Sequence, residues 1–383
     1  MSHLHRRNFL KMSSAFTLAP TLSTQAFPSD NTMPENATNI NFVSDGLILS
    51  PAGFARLLSE LTQNEALKAD NFSLNGCVEI LETKMAKILG KEAAVFMPTG
   101  TLANHLAIRT LAGNNHRAIV QYESHVYNDT GDSVQTLSNL NLIPLGMNKA
   151  TFTAEEVNEV IKRTDSGRVA GKVGVISIES PVRRKTGEMF DFEEMKKISA
   201  LARNEGIRMH LDGARLFLAS GYTGISPATY TSLFDTVYVS LYKYFNAPSG
   251  AILAGPKELI VPMYHTRRMF GGGLHQVWPF AAVATHYLEG FQERYTKAIA
   301  ISEDFIKKLG THDSFDIQRI PNGTNIFQLK VKDTPVKTFS ENLGKKGIIA
   351  RPNETGGMNL LVNESLLQTN ASALASAFID SLK

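Results

Sequence analysis

Lys243 is the residue whose position in the chain most clearly suggests chemistry. It follows an apolar run and lies between two tyrosines in the stretch SLYKYFNAPSG, which spans Ser240 to Gly250. A lysine at this point is either a solvated residue at the end of a strand or an amine nucleophile that bonds a carbonyl group. Other reactive groups predicted for the same part of the fold decide between these two interpretations.

A turn of small polar residues is a candidate phosphate site. Pro98-Thr99-Gly100-Thr101 links the apolar segment AAVFM, residues 93–97, to a segment with helical character. Backbone N–H groups at a helix N-terminus, together with the hydroxyls of Thr99 and Thr101, favour an anionic ligand. The same residues would serve equally well as an ordinary helix cap.

A carboxylate is predicted at the end of a further apolar strand. The stretch HLDGAR covers His210 to Arg215, and its strand delivers Asp212 to the edge of the sheet. A buried carboxylate is costly without a cationic partner. Asp212 is therefore either half of an ordinary turn paired to Arg215 or part of a ligand site.

Taken together, the turn, the carboxylate and the lysine describe a site for pyridoxal 5'-phosphate. Thr99, Gly100 and Thr101 would bind the phosphate, Asp212 would keep the pyridine nitrogen protonated, and Lys243 would form a Schiff base with the aldehyde. No metal site is expected, because the chain has one cysteine and scattered histidines without a ligand spacing.

Short apolar strands that alternate with helices must position these residues. Strands are predicted at 93–97, 119–120, 173–178, 208–211, 236–240 and 251–254. One helix is predicted between Asp191 and Gly206, with Asp191 as its cap and Glu194 completing a capping box. This alternation is typical of an α/β fold in which a mainly parallel, seven-stranded-type sheet carries helices on both faces. Ligands of such folds bind at the carboxyl ends of the strands.

The predicted organisation has four parts. Residues 1–26 form a signal peptide, 27–60 a linker and N-terminal arm, 61–285 the cofactor-binding major domain and 286–383 a small C-terminal domain. After residue 285 the pattern changes to a long charged helix and to strands at 325–331 and 358–362, which indicates a smaller α+β unit.

The N-terminus resembles a twin-arginine export signal. The heptapeptide HRRNFLK at residues 5–11 is followed by a short apolar stretch and by Thr24-Gln25-Ala26, a small-residue cleavage site. The alternative is a basic tail. Export by this route predicts a periplasmic protein with no membrane association after export, and twin-arginine substrates commonly carry a cofactor inserted before export.

The charge balance does not indicate a nucleic-acid partner. The formal net charge of +3 equals the contribution of Arg6, Arg7 and Lys11, which lie in the predicted leader where no acidic residue occurs. The remaining chain is neutral overall, so a basic nucleic-acid surface is not expected. A small molecule that reacts with the predicted cofactor is the expected partner.

The motifs together resemble the threonine aldolase / β-eliminating lyase family of pyridoxal phosphate enzymes, which have the aspartate-aminotransferase-type fold. The resemblance runs from about Asn41 to the C-terminus and rests on Ser44-Asp45, GKEAAVFMPTGTLAN, HLDGARLF, the lysine segment with its APSG tail, and FGGGLHQ at 270–276. It implies a carbon–carbon lyase that cleaves a β-hydroxy-α-amino acid to glycine and an aldehyde, and that forms a homodimer or homotetramer.

The resemblance also implies roles for individual residues. His125, in the tripeptide ESH, would stack on the pyridine ring, and Arg215 would lie near the ring's phenolic oxygen. Ser240 would contact the cofactor, and Ser44 and Arg215 would contact the substrate. Arg268 and His275 fall in the segment that would reach a neighbouring subunit.

Three positions depart from the family pattern. The family usually has an arginine where this chain has His275, and an asparagine where Ser180 follows Glu179. It also presents a carboxylate-binding arginine where this chain has Asn359, and an amide does not replace a bidentate guanidinium. Arg351 is the nearest substitute in sequence, or else a surface residue. Two alternatives stay open: another pyridoxal phosphate reaction, such as β-elimination or amino transfer, or a protein of this fold without activity.

Overall fold

The computed structural model describes residues 40–63, 67–169 and 171–383. The predicted signal peptide at 1–26, and the predicted linker as far as residue 39, lie outside the described residues. Among the helices in these three ranges, none has both the length and the apolar character needed to cross a bilayer.

Strands and helices alternate through most of the described chain. The strands are β1 Ile40–Asn41, β2 Ala93–Met97, β3 Arg117–Gln121, β4 Asn141–Leu145, β5 Val173–Glu179, β6 Arg208–Asp212, β7 Thr236–Ser240, β8 Ala251–Gly255, β9 Phe315–Arg319, β10 Ile326–Val331, β11 Ile348–Ile349 and β12 Met358–Leu361. The helices are α1 Pro51–Thr62, α2 Gly76–Ile88, α3 Gly100–Ala112, α4 His125–Asn128, α5 Ser133–Ser138, α6 Ala154–Asp165, α7 Phe192–Asn204, α8 Leu216–Thr223, α9 Pro227–Thr231, α10 Lys257–Ile260, α11 Met263–Met269, α12 Trp278–Leu288, α13 Phe291–Leu309, α14 Val336–Lys345 and α15 Ala371–Asp380. Short 3-10 helices cover Arg183–Lys185 and Glu364–Gln368.

Seven strands form the central sheet, in the order β2-β8-β7-β6-β5-β3-β4. Strand β8 is antiparallel to both of its neighbours, and the pairs from β7 to β4 are parallel. The carboxyl ends of β2, β3, β5, β6 and β7 therefore lie along one edge of the sheet. The predicted α/β fold with a mainly parallel seven-stranded sheet is confirmed.

Both faces of this sheet are covered by helices, as the packing of β2 shows. Val95 and Met97 pack with Leu106 of α3 on one face, whereas Phe96 packs with Leu81 and Met85 of α2 on the other. Alternate residues of a strand point to opposite faces, so a strand covered on both faces is apolar throughout. This is why the predicted strands were continuous apolar runs.

Two smaller sheets complete the fold. Strands β12, β10 and β9 form an antiparallel sheet, and β1 pairs with β11 in parallel although 308 residues separate Ile40 from Ile348. The side chains of Ile40 and Phe42 pack against Phe327 and Phe378 in the same core cluster. The first described residues are thus held by the last part of the chain.

The predicted capping box at α7 is wrong in one respect. Asp191 does cap this helix, since its side chain accepts from the Glu194 N–H at 2.8 Å. The Glu194 carboxylate, however, accepts from the Ala154 N–H and pairs with Lys197. The complete capping box occurs instead at α6, between Thr153 and Glu156.

Candidate active site

A cavity of about 1260 Å³ lies at the carboxyl edge of the central sheet. Residues that follow β2, β3, β5, β6 and β7 line it, together with the segment 43–49 and Leu361 of β12. Of the residues predicted for the site, the lining includes Ser44, Thr99, Gly100, Thr101, His125, Asp212, Arg215 and Lys243. The sheet topology thus brings these eight together from distant parts of the sequence.

The predicted phosphate turn begins α3. Thr99 is the N-cap residue, and its hydroxyl accepts from the Leu102 N–H at 3.1 Å. A β-carbon at Gly100 would overlap the phenol of Tyr238, so only glycine fits beneath this turn. Tyr238 is itself buried and lines the cavity. The helix-cap interpretation is therefore correct, and it leaves the N-terminus of a 13-residue helix directed at the cavity.

Ser240, at the end of β7, carries a buried hydroxyl that has no hydrogen-bond partner. Ser240 and Met97 both pair with Ala251 of β8, so Ser240 lies in the same row of the sheet as the strand end that precedes the turn. An unsatisfied buried hydroxyl costs about 1–3 kcal/mol. Ser240 is not among the residues that line the cavity, but its hydroxyl lies near the phenol of Tyr238, which does line it.

Asp212 is buried at the end of β6, and its carboxylate is held by amide groups. The Asn104 side-chain amide donates to Oδ2 at 2.6 Å, and the Ala214 backbone N–H donates to Oδ1 at 3.1 Å. The predicted alternative, an ordinary turn paired to Arg215, is wrong, because the Arg215 guanidinium binds another carboxylate. Asp212 therefore fits a cationic group that enters the cavity, such as a protonated pyridine nitrogen.

Arg215 pairs with Asp45, which lies on the segment that follows β1. The guanidinium Nε and Nη2 lie 2.9 and 2.8 Å from Asp45 Oδ2, and Asn325 donates to Oδ1 at 3.2 Å. Burial by itself would raise the pKa of Asp45, but the adjacent Arg215 charge holds it below its ordinary value. The pair is an ionic contact between the N-terminal segment and the central sheet.

His125 begins α4 and faces the phosphate turn. Its Nε2 lies 3.5 Å from the Thr101 hydroxyl, and its Nδ1 lies 3.6 Å from the Asp129 carboxylate. Asp129 also binds Arg183, at 2.6 Å, and Arg184, at 3.3 Å. The imidazole therefore lies between the Thr101 hydroxyl and the Asp129 carboxylate, where it can exchange a proton with a bound molecule.

Lys243 lies three residues after β7, is half-buried and lines the cavity. Its Nζ is 3.3 Å from the Tyr242 hydroxyl and 4.7 Å from the centre of that ring. Tyr244, on its other side, is fully buried behind the cavity. Lys243 thus lines the same cavity as Asp212 and the turn, with its amine against the Tyr242 ring.

Glu179 is a site residue that the sequence analysis did not identify. It ends β5 directly opposite Asp212 in the strand register, is buried, and lines the cavity. Its two carboxylate oxygens accept from the backbone N–H groups of His125, at 2.5 Å, and Arg183, at 2.8 Å. Burial, and then the neighbouring Asp212 carboxylate, raise the pKa of Glu179 to about 7. A single glutamate at a strand end carried no sequence signal strong enough to find it.

Two predicted substrate residues lie outside the cavity. Arg351 is exposed, and the Asn359 side chain accepts from the amides of Gln328 and Asn353, both at 3.2 Å, within the small sheet. From β12 it is Leu361 that reaches the cavity lining, and Arg183 lines it as well. Arg183 and Tyr242 were not identified from the sequence, because their approach depends on how the loops fold back over the sheet.

Comparisons with known proteins identify the family and the fold. Residues 67–331 match the family described as Beta-eliminating lyase. The chain is 34% identical over 233 residues to the low-specificity L-threonine aldolase of Candida albicans, an alignment that covers 60% of each chain. It is 28% identical over 316 residues to the "Probable low-specificity L-threonine aldolase" of Schizosaccharomyces pombe, covering 81% of this chain and 80% of that one.

A solved structure from Listeria monocytogenes, named "putative L-allo-threonine aldolase", is 26% identical and has a TM-score of 0.73. It covers 90% of this chain and 95% of its own. This likeness bears out the predicted fold over nearly the whole described chain. Against the Candida protein, the chain spans less than two thirds of that relative's length.

Proposed function

The chain belongs to the beta-eliminating lyase family, and from this premise we propose that it cleaves a β-hydroxy-α-amino acid to glycine and an aldehyde with the help of pyridoxal phosphate. The observation that carries the proposal is the meeting of Thr99–Thr101, Asp212 and Lys243 in one cavity. The relatives named as threonine aldolases support the substrate class.

The groups around the cavity fit the cofactor. The N-terminus of α3, with the hydroxyls of Thr99 and Thr101 and the unpartnered hydroxyl of Ser240, would hold the phosphate. The Asp212 carboxylate would hold the protonated pyridine nitrogen, and Lys243 Nζ would bond the aldehyde carbon. When bound, pyridoxal phosphate supplies the electron sink for the carbon–carbon bond that breaks.

The substrate would be oriented by charges on the open side of the cavity. Arg215, fixed by Asp45, would face the substrate carboxylate, with Ser44 beside it. Arg183, which lines the cavity while bonded to Asp129, is a second cation available to an anionic group. Binding by these residues would replace the contact that the family obtains from an arginine at the position of Asn359.

His125 is the residue best placed to move the substrate's hydroxyl proton. As the carbon–carbon bond breaks, this proton must leave so that the carbonyl group of the aldehyde can form. His125 would stack on the cofactor ring and accept or relay the proton, and the Asp129 carboxylate 3.6 Å from Nδ1 would stabilise the resulting positive charge.

An assay with L-threonine and L-allo-threonine tests the proposal. We expect the holoenzyme to release glycine and acetaldehyde in equal amounts from at least one of them, and Lys243→Ala to release neither. A wild type that binds pyridoxal phosphate but forms no acetaldehyde from either substrate would refute the aldolase reaction.

A different reaction of the same cofactor is the second candidate, and the placement of Asn359 outside the cavity favours it. A substrate whose carboxylate is absent or differently held could undergo β-elimination or amino transfer. Release of pyruvate and ammonia would identify elimination, whereas formation of pyridoxamine phosphate with a keto acid would identify transfer.

The oligomeric state is also part of the proposal. In the segment that contains Arg268 and His275, Met269 is 66% exposed and Leu274 is 39% exposed. Arg268 and His275 both pack against the ring of Phe72. Exposed apolar side chains beside a glycine-rich turn support a contact with a second copy of the chain.

A further inference from the structure

Three buried polar side chains lie in a row behind Asp212. Asn104 comes from α3, His210 from β6 and Thr236 from β7, and each of the three is fully buried. His210 Nδ1 lies 2.8 Å from the Thr236 hydroxyl, His210 Nε2 lies 2.8 Å from Asn104 Oδ1, and Asn104 Nδ2 lies 2.6 Å from Asp212 Oδ2. These contacts form one continuous chain of hydrogen bonds that ends on the carboxylate.

The chemistry of the groups fixes the direction of this chain. A carboxylate only accepts, so the Asn104 amide nitrogen must face Asp212 and its oxygen must face His210. His210 Nε2 therefore carries a hydrogen. Burial lowers the pKa of His210 to about 3, which keeps the ring neutral at pH 7 and leaves Nδ1 to accept from the Thr236 hydroxyl. Every donor in the row points towards Asp212.

We infer that Asn104, His210 and Thr236 form a neutral relay that orients Asp212 to receive the cofactor's pyridine nitrogen. A neutral relay gives the carboxylate a hydrogen bond and a fixed plane without cancelling its negative charge. An imidazolium in the same place would compensate that charge and weaken the attraction for a protonated pyridine. The inference rests on the proposed function, and the three residues are positioning residues rather than catalytic ones.

The packing of α3 on β6 explains why the relay residues lie close together. His210 and Asp212 are two residues apart on β6 and so share a face of the sheet, the face on which α3 packs. Gly100 begins α3, and Asn104 follows four residues later on the same side of the helix. One rigid helix therefore carries both the phosphate turn and the amide that holds Asp212, which fixes the spacing between the two ends of the cofactor site.

Cofactor binding and ring protonation test the relay independently of turnover. We expect Asn104→Leu to raise the dissociation constant of pyridoxal phosphate by about tenfold or more, the usual effect of losing a hydrogen bond to a charged group. His210→Phe removes the neutral bond to Asn104 instead and should raise the same constant by about two- to tenfold. In the same variants the ¹⁵N chemical shift of labelled cofactor should show a smaller protonated fraction of the ring nitrogen. The matched control is His105→Phe, which removes a buried histidine of α3 that bonds Ser138 instead.

The tautomer of His210 in the wild-type apoprotein provides a second measurement, which does not require any variant to fold. ¹⁵N NMR at pH 7 should show a neutral ring protonated at Nε2, whereas an imidazolium or the Nδ1–H tautomer would overturn the relay. The role of the relay would be overturned if the folded variants bound the cofactor with wild-type affinity and left its ring nitrogen as protonated as in the wild type. A wild type that takes up no pyridoxal phosphate would refute the proposed function, and the His210 tautomer would still decide the direction of the relay.

Discussion

At the scale of single residues, most polar side chains of the site have a hydrogen-bond or ion-pair partner within the protein, and a few have none. Arg215 is satisfied by Asp45 and Asp212 by amides, whereas Ser240 has no partner. Folding normally pairs buried polar groups. The unpaired hydroxyl of Ser240 is therefore a candidate donor to the phosphate proposed at the N-terminus of α3.

Gly100 gives a prediction at this scale. Gly100→Ala would force the Tyr238 ring out of its place under the turn, so we expect a loss of about 1–3 kcal/mol in the free energy of unfolding. The affinity for pyridoxal phosphate should fall as well. Chemical denaturation and a cofactor titration measure the two effects.

Gly344→Ala is the matched control. Gly344 lies within α14, and an added β-carbon there meets nothing within 4 Å. Replacing a helical glycine with alanine should stabilise the protein by about 0.5–1 kcal/mol. If Gly100→Ala behaved like Gly344→Ala, the close packing of Tyr238 under the turn would not be a constraint.

At the scale of secondary structure, strand ends are what place the reactive groups. The carboxyl edge of the central sheet collects the turn after β2, Glu179 at the end of β5, Asp212 at the end of β6 and Lys243 after β7. Glu179 adds a link between elements, because its carboxyl group holds the backbone of α4 and of the 3-10 helix that begins at Arg183.

The burial of the Glu179 carboxyl group beside Asp212 makes the stability of the apoprotein depend on pH. The pKa of Glu179 rises from an ordinary 4.5 to about 7 in the fold, so the folded state binds this proton more tightly than the unfolded chain. Its stabilising contribution is complete below about pH 4.5 and is lost as the pH rises through 7. Glu179→Gln should flatten the decline of the free energy of unfolding over this interval, as measured by urea denaturation.

Glu205→Gln, at an exposed carboxyl of the same chain, is the control and should keep the wild-type slope. An unchanged slope in Glu179→Gln would show that Glu179 does not take up its proton in this interval.

The same scale explains which elements could be predicted from the sequence. Strands buried on both faces were visible as apolar runs, but β4 contains Pro144, which an edge strand tolerates because one side needs no N–H donor. Strand β9, whose exposure increases from Phe315 to Arg319, and the two-residue pair of β1 with β11 gave no clear pattern. Asn104 and Glu179 could not be identified because their partners are brought near only by tertiary packing.

At the scale of the whole molecule, the proposal places a folded cofactor enzyme outside the cytoplasm. The leader at residues 1–26 lies outside the described part of the chain, so this proposal rests on Arg6, Arg7 and the apolar stretch after them. Replacing both arginines with lysine should leave the full-length protein in the cytoplasm of a Gram-negative host. Fractionation and N-terminal sequencing would show whether the wild type is recovered from the periplasm without its first 26 residues; cytoplasmic wild type with an intact leader would contradict export.

The proposed reaction requires a bond between Lys243 and the cofactor, which reductive trapping detects. Borohydride treatment of the holoenzyme fixes pyridoxal phosphate to whichever lysine its aldehyde has bonded, and peptide mapping by mass spectrometry then identifies that residue. We predict a single phosphopyridoxyl group on the peptide that contains Lys243, and none in Lys243→Ala. Trapping at another lysine, such as the partly buried Lys91 outside the cavity, or no trapping in a wild type incubated with the cofactor, would contradict it.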